Sequence, residues 1–203
     1  KAYQAELNDL GDAGCTYVQL DDTNYAYLCD PAYASVFNEW GYSADAMRAL
    51  SAKVINASIA KRPKGMIAGI HICRGNSAGR WAAKGGYEPI AETLLNELEV
   101  DAYFLEFDDA RSGGFEPLRY FPKGSKKRVV LGLVSTKHPQ LESKDLLKRR
   151  IEAATQYVPL ENLCLSPQCG FSSTVHGKNI AVEAQRNKLR LVIETAQEVW
   201  GSL

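Results

Sequence analysis

His71 and Cys73 are the residues whose types and spacing most directly suggest chemistry. They stand two positions apart in IHICRGN, residues 70–76, where an apolar run ends and a turn signal follows. In a β-strand, residues two apart project to the same face, so an imidazole and a thiol would converge there. Cys and a hydrogen-bonded His also occur as ordinary core residues. Alone, the pair is therefore compatible with two metal ligands or with two core side chains.

Two further candidate ligands, Glu106 and Cys169, lie at the ends of other apolar runs. With His71 and Cys73 they would supply one nitrogen, two sulfurs and one oxygen, a set that suits tetrahedral zinc. Structural zinc sites are usually closed sets of Cys and His, whereas catalytic sites keep a replaceable position. The sequence therefore predicts a catalytic zinc site whose ligands are His71, Cys73, Glu106 and Cys169.

Asp21 is the favoured candidate for a further working carboxylate. It lies in phase with Tyr17 and Gln19, whereas the neighbouring Asp22 would face the helix layer if the strand continues. Loop histidines more often have exposed roles, and cysteines at strand starts are more often inert core thiols. These weaker candidates are His138, His176, Cys15 and Cys164.

The elements that must position these residues follow a repeated pattern of helical and apolar segments. The apolar runs are predicted to be buried parallel strands, and they cover residues 15–22, 66–75, 102–109, 128–137 and 162–170. Segments with helical spacing lie at residues 44–60, 87–98, 143–156 and 180–199. No strand is followed by a G-x-G-x-x-G turn, which disfavours a Rossmann fold. Because the polar residues gather at the C-terminal ends of the runs, the pattern favours an α/β fold of the TIM-barrel type.

Five strands are fewer than the eight that a (β/α)8 barrel requires, and such barrels typically have ~250 residues. The chain also opens inside an apparent helix, KAYQAELNDLGDAG. We therefore expect residues 1–203 to be the C-terminal portion of a single zinc-binding TIM-barrel domain. Its two edge strands would carry unpaired backbone groups that invite pairing with another chain, so a homo-oligomer is one expected state.

Charge and hydropathy narrow the class of partner. The 24 basic and 24 acidic residues cancel, so no net field attracts nucleic acid or an anionic membrane. No apolar run approaches the ~20 residues that cross a bilayer, and the charged start does not resemble a signal peptide. The five scattered cysteines do not resemble a disulfide framework. We expect a cytoplasmic protein with small-molecule partners.

Several segments, in order, resemble the cobalamin-independent methionine synthase family, particularly its short single-barrel relatives. They are YVQLDDTNYAYLCD, HICRGN, FLEFDDARSGGFEPLRY, GLVSTK and LCLSPQCGFSSTVHGKN. The resemblance implies a (β/α)8 barrel of which strands 4–8 are seen here. It also implies a zinc-dependent S-methyltransferase that activates homocysteine as a zinc thiolate for methylation to methionine. The family's metal ligands fall on His71, Cys73, Glu106 and Cys169, and its aspartate that binds the substrate amino group falls on Asp21.

The chain departs from the family pattern in two ways. Ser135, in GLVSTK, stands at about the position of the family's proton-donating His. Ser135 is therefore a candidate for substrate contact, and His138 is a nearby candidate for the general acid. The first half of the barrel, which supplies most of the family's folate site, has no counterpart in this sequence. The methyl donor is thus open, with a methyl-folate as one candidate.

In the expected mechanism, the substrate sulfur enters as the exchangeable ligand and weakens or displaces Glu106, while His71, Cys73 and Cys169 hold the metal. Two alternatives compete with this hypothesis. One is a non-catalytic barrel fragment in which zinc is structural. The other is a metal-free barrel of the uroporphyrinogen decarboxylase type, whose chemistry needs a cationic pocket. Only two candidate arginines, Arg74 and Arg111, lie just after strand ends, which is few for that chemistry.

Overall fold

The computed structural model describes residues 1–77, 80–172 and 180–201. Its strands, in chain order, are β1 (Tyr17–Asp22), β2 (Ile67–Ile72), β3 (Asn76–Ser77), β4 (Arg80–Trp81), β5 (Ala102–Glu106), β6 (Arg128–Val134) and β7 (Leu163–Pro167). Five of them form one sheet in the order β1-β2-β5-β6-β7, and every pairing in it is parallel. The other two, β3 and β4, form a short antiparallel ribbon that follows β2. The predicted five parallel strands are therefore present.

The α-helices precede, connect or follow the strands. They are α1 (Ala2–Asp12), α2 (Asn24–Cys29), α3 (Ala34–Glu39), α4 (Ala44–Ile59), α5 (Lys144–Ala154) and α6 (Val182–Trp200). Two of the predicted helices begin at serine caps: Ser43 Oγ accepts the Ala46 N–H at 3.1 Å and Ser143 Oγ accepts the Leu146 N–H at 3.2 Å. Each cap satisfies a backbone donor that the first helical turn leaves free. Within the described residues, no helix is both long enough and apolar enough to cross a membrane.

The helix predicted over residues 87–98 is much shorter in the structure. Its regular part is a π-helical segment, Thr93–Glu97. Side chains from other elements donate hydrogen bonds to the backbone carbonyl groups at its end. The Asn56 amide donates to Glu97 O at 2.8 Å, and the Tyr103 hydroxyl donates to Leu95 O at 3.1 Å. Since these carbonyls have side-chain partners, the segment is held without the hydrogen bonds of a longer α-helix.

Four of the five sheet strands end earlier than their apolar runs predict, whereas β1 ends at Asp22 as predicted. The run 66–75, for example, is a strand only to Ile72, and the run 162–170 only to Pro167. The chain leaves the sheet after β2 because the Arg74 N–H bonds to the side-chain carboxylate of Glu106 at 3.2 Å instead of to a backbone carbonyl of a neighbouring strand. The residues that follow the strands therefore belong to loops at the C-terminal edge of the sheet.

The sheet core lies between its strands and the flanking helices, with both faces of β2 buried from Ala68 to Ile72. In β1 the pattern alternates instead, and Tyr17, Gln19 and Asp21 share the exposed face. This confirms the predicted phase of Asp21. Among the described residues, β1 and β7 each pair with one strand only and form the two edges of the sheet.

Candidate metal centre

The four predicted ligands meet at the C-terminal edge of the sheet. His71 lies in β2 and Glu106 ends β5, while Cys73 and Cys169 lie in the loops just after β2 and β7. One ligand atom from each of the four lies within 4.8 Å of all the others. Bonds of ~2.0–2.3 Å in a tetrahedral zinc site place ligand atoms roughly 3.3–3.8 Å apart. Small side-chain adjustments would therefore close this cluster around a metal ion.

His71 provides an independent test of whether the cluster fits a metal. Its Nε2 is buried and, among the described residues, has no well-directed hydrogen bond. Glu106 Oε1 lies 3.3 Å from this nitrogen. A buried nitrogen without a directed partner is costly for a purely structural residue, whereas a metal ligand requires that lone pair. The observation fits a ligand better than an ordinary core histidine.

The Glu106 side chain is fully buried. Its Oε2 accepts a hydrogen bond from Arg111 Nη2 at 2.7 Å, and its Oε1 accepts one from the Arg74 backbone N–H at 3.2 Å. Burial alone would raise the pKa of Glu106, but His71 and Arg111 more than compensate and lower it. Glu106 is therefore held as a carboxylate inside the protein.

Because the Cys73 and Cys169 thiols lie close together, their pKa values shift in opposite directions. The hydrogen bond from Cys73 lowers the pKa of Cys169 to about 5, and the same bond raises the pKa of Cys73 well above its usual value. Burial would lower the pKa of His71, but the adjacent Cys169 and Glu106 outweigh it and raise this pKa to about 10. Cys169 and Glu106 thus carry the negative charge of the cluster.

Tyr87 is a supporting residue that the sequence did not reveal. Its buried hydroxyl accepts the Glu106 N–H at 2.8 Å and donates to the Glu106 carbonyl at 3.1 Å. The Arg74 guanidinium lies over the Tyr87 ring, 4.9 Å from its centroid. Tyr87 thus fixes the backbone of the residue that ends β5.

Arg74 and Arg111, the two arginines after strand ends, do not form an open cationic pocket. Both are buried, and each donates to a backbone carbonyl, Arg74 to Gly85 and Arg111 to Gly75. Arg111 also pairs with Glu106. This arrangement disfavours the decarboxylase-type alternative, because both guanidinium groups are buried inside the protein.

Asp21 lies beside the cluster, opposite His71 in the pairing of β1 with β2. Partial burial is the main cause that raises its pKa; the charge of His71 opposes this rise, and the charges of Cys169 and Glu106 add to it. The neighbouring Asp22 accepts the Tyr25 N–H at 2.9 Å and so supports the start of α2. Of the two carboxylates, Asp21 is therefore the one that faces the ligands.

Ser135 lies at the same edge of the sheet but outside the ligand cluster. It follows β6 and is buried, and its hydroxyl accepts the Lys137 N–H at 3.3 Å. His138 is exposed nearby, and His176 lies outside the described residues. Cys15 and Cys164 lie at the N-terminal ends of the strands, away from the cluster: Cys15 precedes β1 and Cys164 lies near the start of β7.

Comparison with known proteins agrees with this architecture. Residues 1–198 match the family described as "Cobalamin-independent synthase, Catalytic domain". Over 200 residues, the chain is 49% identical to the uncharacterized protein YxjG of Bacillus subtilis (strain 168), covering 98% of this chain and 53% of that protein. A methionine synthase of Pyrococcus abyssi is 26% identical over 171 residues, covering 84% of this chain and 41% of the relative. The chain thus spans about half the length of these curated relatives.

Two solved structures share the fold. One, titled a putative vitamin-B12 independent methionine synthase from Listeria monocytogenes, superposes with a TM-score of 0.77 at 35% identity, over 99% of this chain and 54% of that chain. The other, a B12-independent methionine synthase from Shewanella sp. W3-18-1 in complex with selenomethionine, gives 0.70 at 18% identity, over 98% and 52%. At that identity the second match supports the fold alone.

The parallel strands, the connecting helices and the cluster at the C-terminal edge define the class, which is a catalytic domain built on a β/α barrel. The match over residues 1–198 defines the family within that class. The chain belongs to the cobalamin-independent methionine synthase family. The predicted family and the predicted fold class, about five β/α units of a TIM barrel, are both confirmed.

Proposed function

We propose that residues 1–203 are the zinc-binding, C-terminal portion of one TIM-barrel domain that methylates the sulfur of homocysteine to form methionine. The supporting observation is the convergence of His71, Cys73, Glu106 and Cys169 within 4.8 Å in a chain of this family. A free thiol is only slightly ionised near neutral pH, and bound zinc would supply the charge that ionises the substrate thiol.

The exposure of the cluster indicates the side from which a substrate approaches. His71, Cys73 and Glu106 are buried, whereas Cys169 is partly exposed. Asp21 lies on the exposed face of β1. Because the cluster is closed at β2 and β5, we infer that the substrate enters between Cys169 and Asp21, where the Asp21 carboxylate can bind its ammonium group.

Three ligands, His71, Cys73 and Cys169, would hold the metal throughout the reaction. Glu106 is the exchangeable ligand, since its carboxylate has a second partner in Arg111 to which it can remain bound. The substrate sulfur then attacks the methyl group in line with its leaving group. Fixing two reactants in such a geometry can lower a barrier by up to roughly 7–11 kcal/mol. The partners are thus a small thiol and a methyl donor, with a methyl-folate as one candidate and Ser135 as a further substrate contact.

Zinc quantitation tests the ligand set. The protein purified without chelator should carry near-stoichiometric zinc, and Cys73→Ser should lose it. Cys164→Ser is the matched control, because Cys164 lies near the opposite end of β7 and should keep the metal. Full zinc occupancy in Cys73→Ser would show that the ligand assignment is wrong.

X-ray absorption at the zinc edge tests the catalytic role in the full-length protein. Homocysteine should replace one oxygen ligand by sulfur, and about one proton per site should be released as the thiol ionises. Glu106→Gln should weaken the resting coordination while the other three ligands still hold the metal. A closed structural site has no exchangeable position, so an unchanged oxygen-to-sulfur ratio at saturating thiol would refute the methyltransferase mechanism.

A further inference from the structure

Glu106 differs from the other three candidate ligands in having a buried cation of its own. Arg111 Nη2 lies 2.7 Å from Glu106 Oε2, and both side chains are fully buried. The other carboxylate oxygen, Oε1, faces His71 Nε2 at 3.3 Å. The two oxygens of one carboxylate therefore point to two different partners.

Arg111 is itself fixed in place. Its Nη1 donates to the Gly75 carbonyl at 3.1 Å, and its backbone N–H donates to Asp109 Oδ1 at 3.0 Å, which caps the 3₁₀ turn Ala110–Ser112. Asp109 is held in turn by Lys137, with Nζ to Oδ2 at 2.9 Å. Because these contacts join the loops after β2, β5 and β6, the guanidinium cannot follow Glu106 if that carboxylate turns.

On the proposed function above, we propose that Arg111 is a positioning residue that makes Glu106 the ligand that a substrate thiol displaces. Held at Oε2, the carboxylate presents only Oε1 to the metal. Chelation through both oxygens would break a buried ion pair, which is strongly unfavourable. When the thiol enters, Glu106 keeps its partner in Arg111 and is not left as an unpaired buried anion.

Removing the guanidinium should therefore strengthen the hold of Glu106 on the metal. In Arg111→Met the carboxylate has no competing cation, so both oxygens become available to the metal. Outer contacts of this kind typically change metal affinity or activity 10–100-fold. We expect stoichiometric zinc that resists a competing chelator at least as well as in the wild type. The homocysteine concentration for half exchange of oxygen by sulfur should rise at least tenfold.

The experiment is a homocysteine titration of the zinc-loaded, full-length protein, followed at the zinc edge, with chelator competition in parallel. Arg119→Met is the control, because Arg119 forms a surface ion pair with Glu88 and should titrate like the wild type. Arg111→Lys keeps the charge but not both contacts, so it should lie between the wild type and Arg111→Met.

The outcomes separate this proposal from the proposed function. A wild type without any oxygen-to-sulfur exchange refutes the proposed function. If the wild type exchanges and Arg111→Met exchanges at the same homocysteine concentration, only the role of Arg111 is refuted. If Arg111→Met does not fold or loses zinc, the test uses Arg111→Lys. A homocysteine concentration for half exchange equal to that of the wild type then overturns the proposal, and a higher concentration supports it.

Discussion

Replacing Tyr87 by Phe should destabilise the end of β5 without disturbing the packing around it. The ring stays against Phe107, whose centroid lies 5.1 Å away, and only the hydroxyl is removed. That hydroxyl serves two backbone groups of Glu106, its N–H at 2.8 Å and its carbonyl at 3.1 Å. Both groups would be left buried without this partner, so the variant differs from the wild type in hydrogen bonding alone.

The size of the effect follows from these two bonds. An unsatisfied buried polar group costs about 1–3 kcal/mol, so the loss of a partner for two such groups should lower the free energy of unfolding by about 2–6 kcal/mol. With a urea m-value of about 2–3 kcal/mol/M for a protein of this size, the unfolding midpoint should fall by roughly 0.7–3 M. The Glu106 carboxylate should also shift, so zinc affinity should fall in the same variant.

Urea unfolding followed by circular dichroism measures this change, in both the metal-free and the zinc-loaded protein. The metal-free protein isolates the cost of the lost hydrogen bonds, and the difference between the two states reports the effect on metal binding. Tyr42→Phe, which removes a hydroxyl from a half-exposed side chain, is the matched control. A loss below about 0.5 kcal/mol in metal-free Tyr87→Phe would refute the reasoning, because that is the range of ordinary surface substitutions.

Three further changes have defined outcomes. Gly132→Ala places a methyl group 2.9 Å from the Gln168 Cα, so it should lower the free energy of unfolding by about 1–3 kcal/mol. The loss should exceed that of Gly69→Ala, because the methyl group at position 69 meets side-chain atoms instead of backbone. Equal losses in urea unfolding would contradict this prediction. Burial raises the pKa of Asp109, but Lys137 outweighs burial and lowers this pKa below 3.8. A carboxyl group with a lowered pKa stabilises the folded protein above its unfolded-state pKa, and this stabilisation is lost as the pH falls through its folded-state pKa. Lys137→Met should therefore be about 2 kcal/mol less stable than the wild type at pH 7, with a difference that shrinks below pH 4; a deficit that is constant with pH would exclude this cause. The 203-residue chain expressed alone should self-associate through the edges of β1 and β7, and sedimentation as a monomer at micromolar concentration would argue against exposed edges.

The strands were predictable because each is a short apolar run bounded by turn or charged residues. Apart from the end of β1, the ends of the strands were not predictable, because they depend on contacts between distant segments. The apolar run that contains His71 continues in sequence to Gly75. The strand ends earlier because the Arg74 N–H bonds to the side-chain carboxylate of Glu106, 32 residues later, instead of to a backbone carbonyl. The short π-helical segment escaped prediction for the same reason, since its end is held by Asn56 and Tyr103 from other elements.

The candidate ligands were accessible from sequence because the C-terminal ends of parallel strands meet at one edge of a sheet. The residues that support them were not. Arg111 stands five positions after Glu106 in a loop, and nothing in its neighbours indicates that a 3₁₀ turn directs it back to that carboxylate. Tyr87 is the first residue of the helix predicted over residues 87–98, and nothing in that pattern indicates a contact with the end of β5. The substrate contact of Ser135 stays a prediction, and the structure adds that its hydroxyl already accepts a bond from Lys137.

The edges of β1 and β7 that pair with no other described strand are also places where the sequence of a pairing strand can vary. A parallel strand docks through backbone groups, so these edges place few demands on the side chains of the strands that complete the sheet. Strands that pair with these edges can therefore differ in sequence. The four proposed ligands lie on β2 and β5 and in the loops after β2 and β7, so they need not change. On the proposed function, the same four ligands can therefore serve in domains whose remaining strands bind different methyl donors.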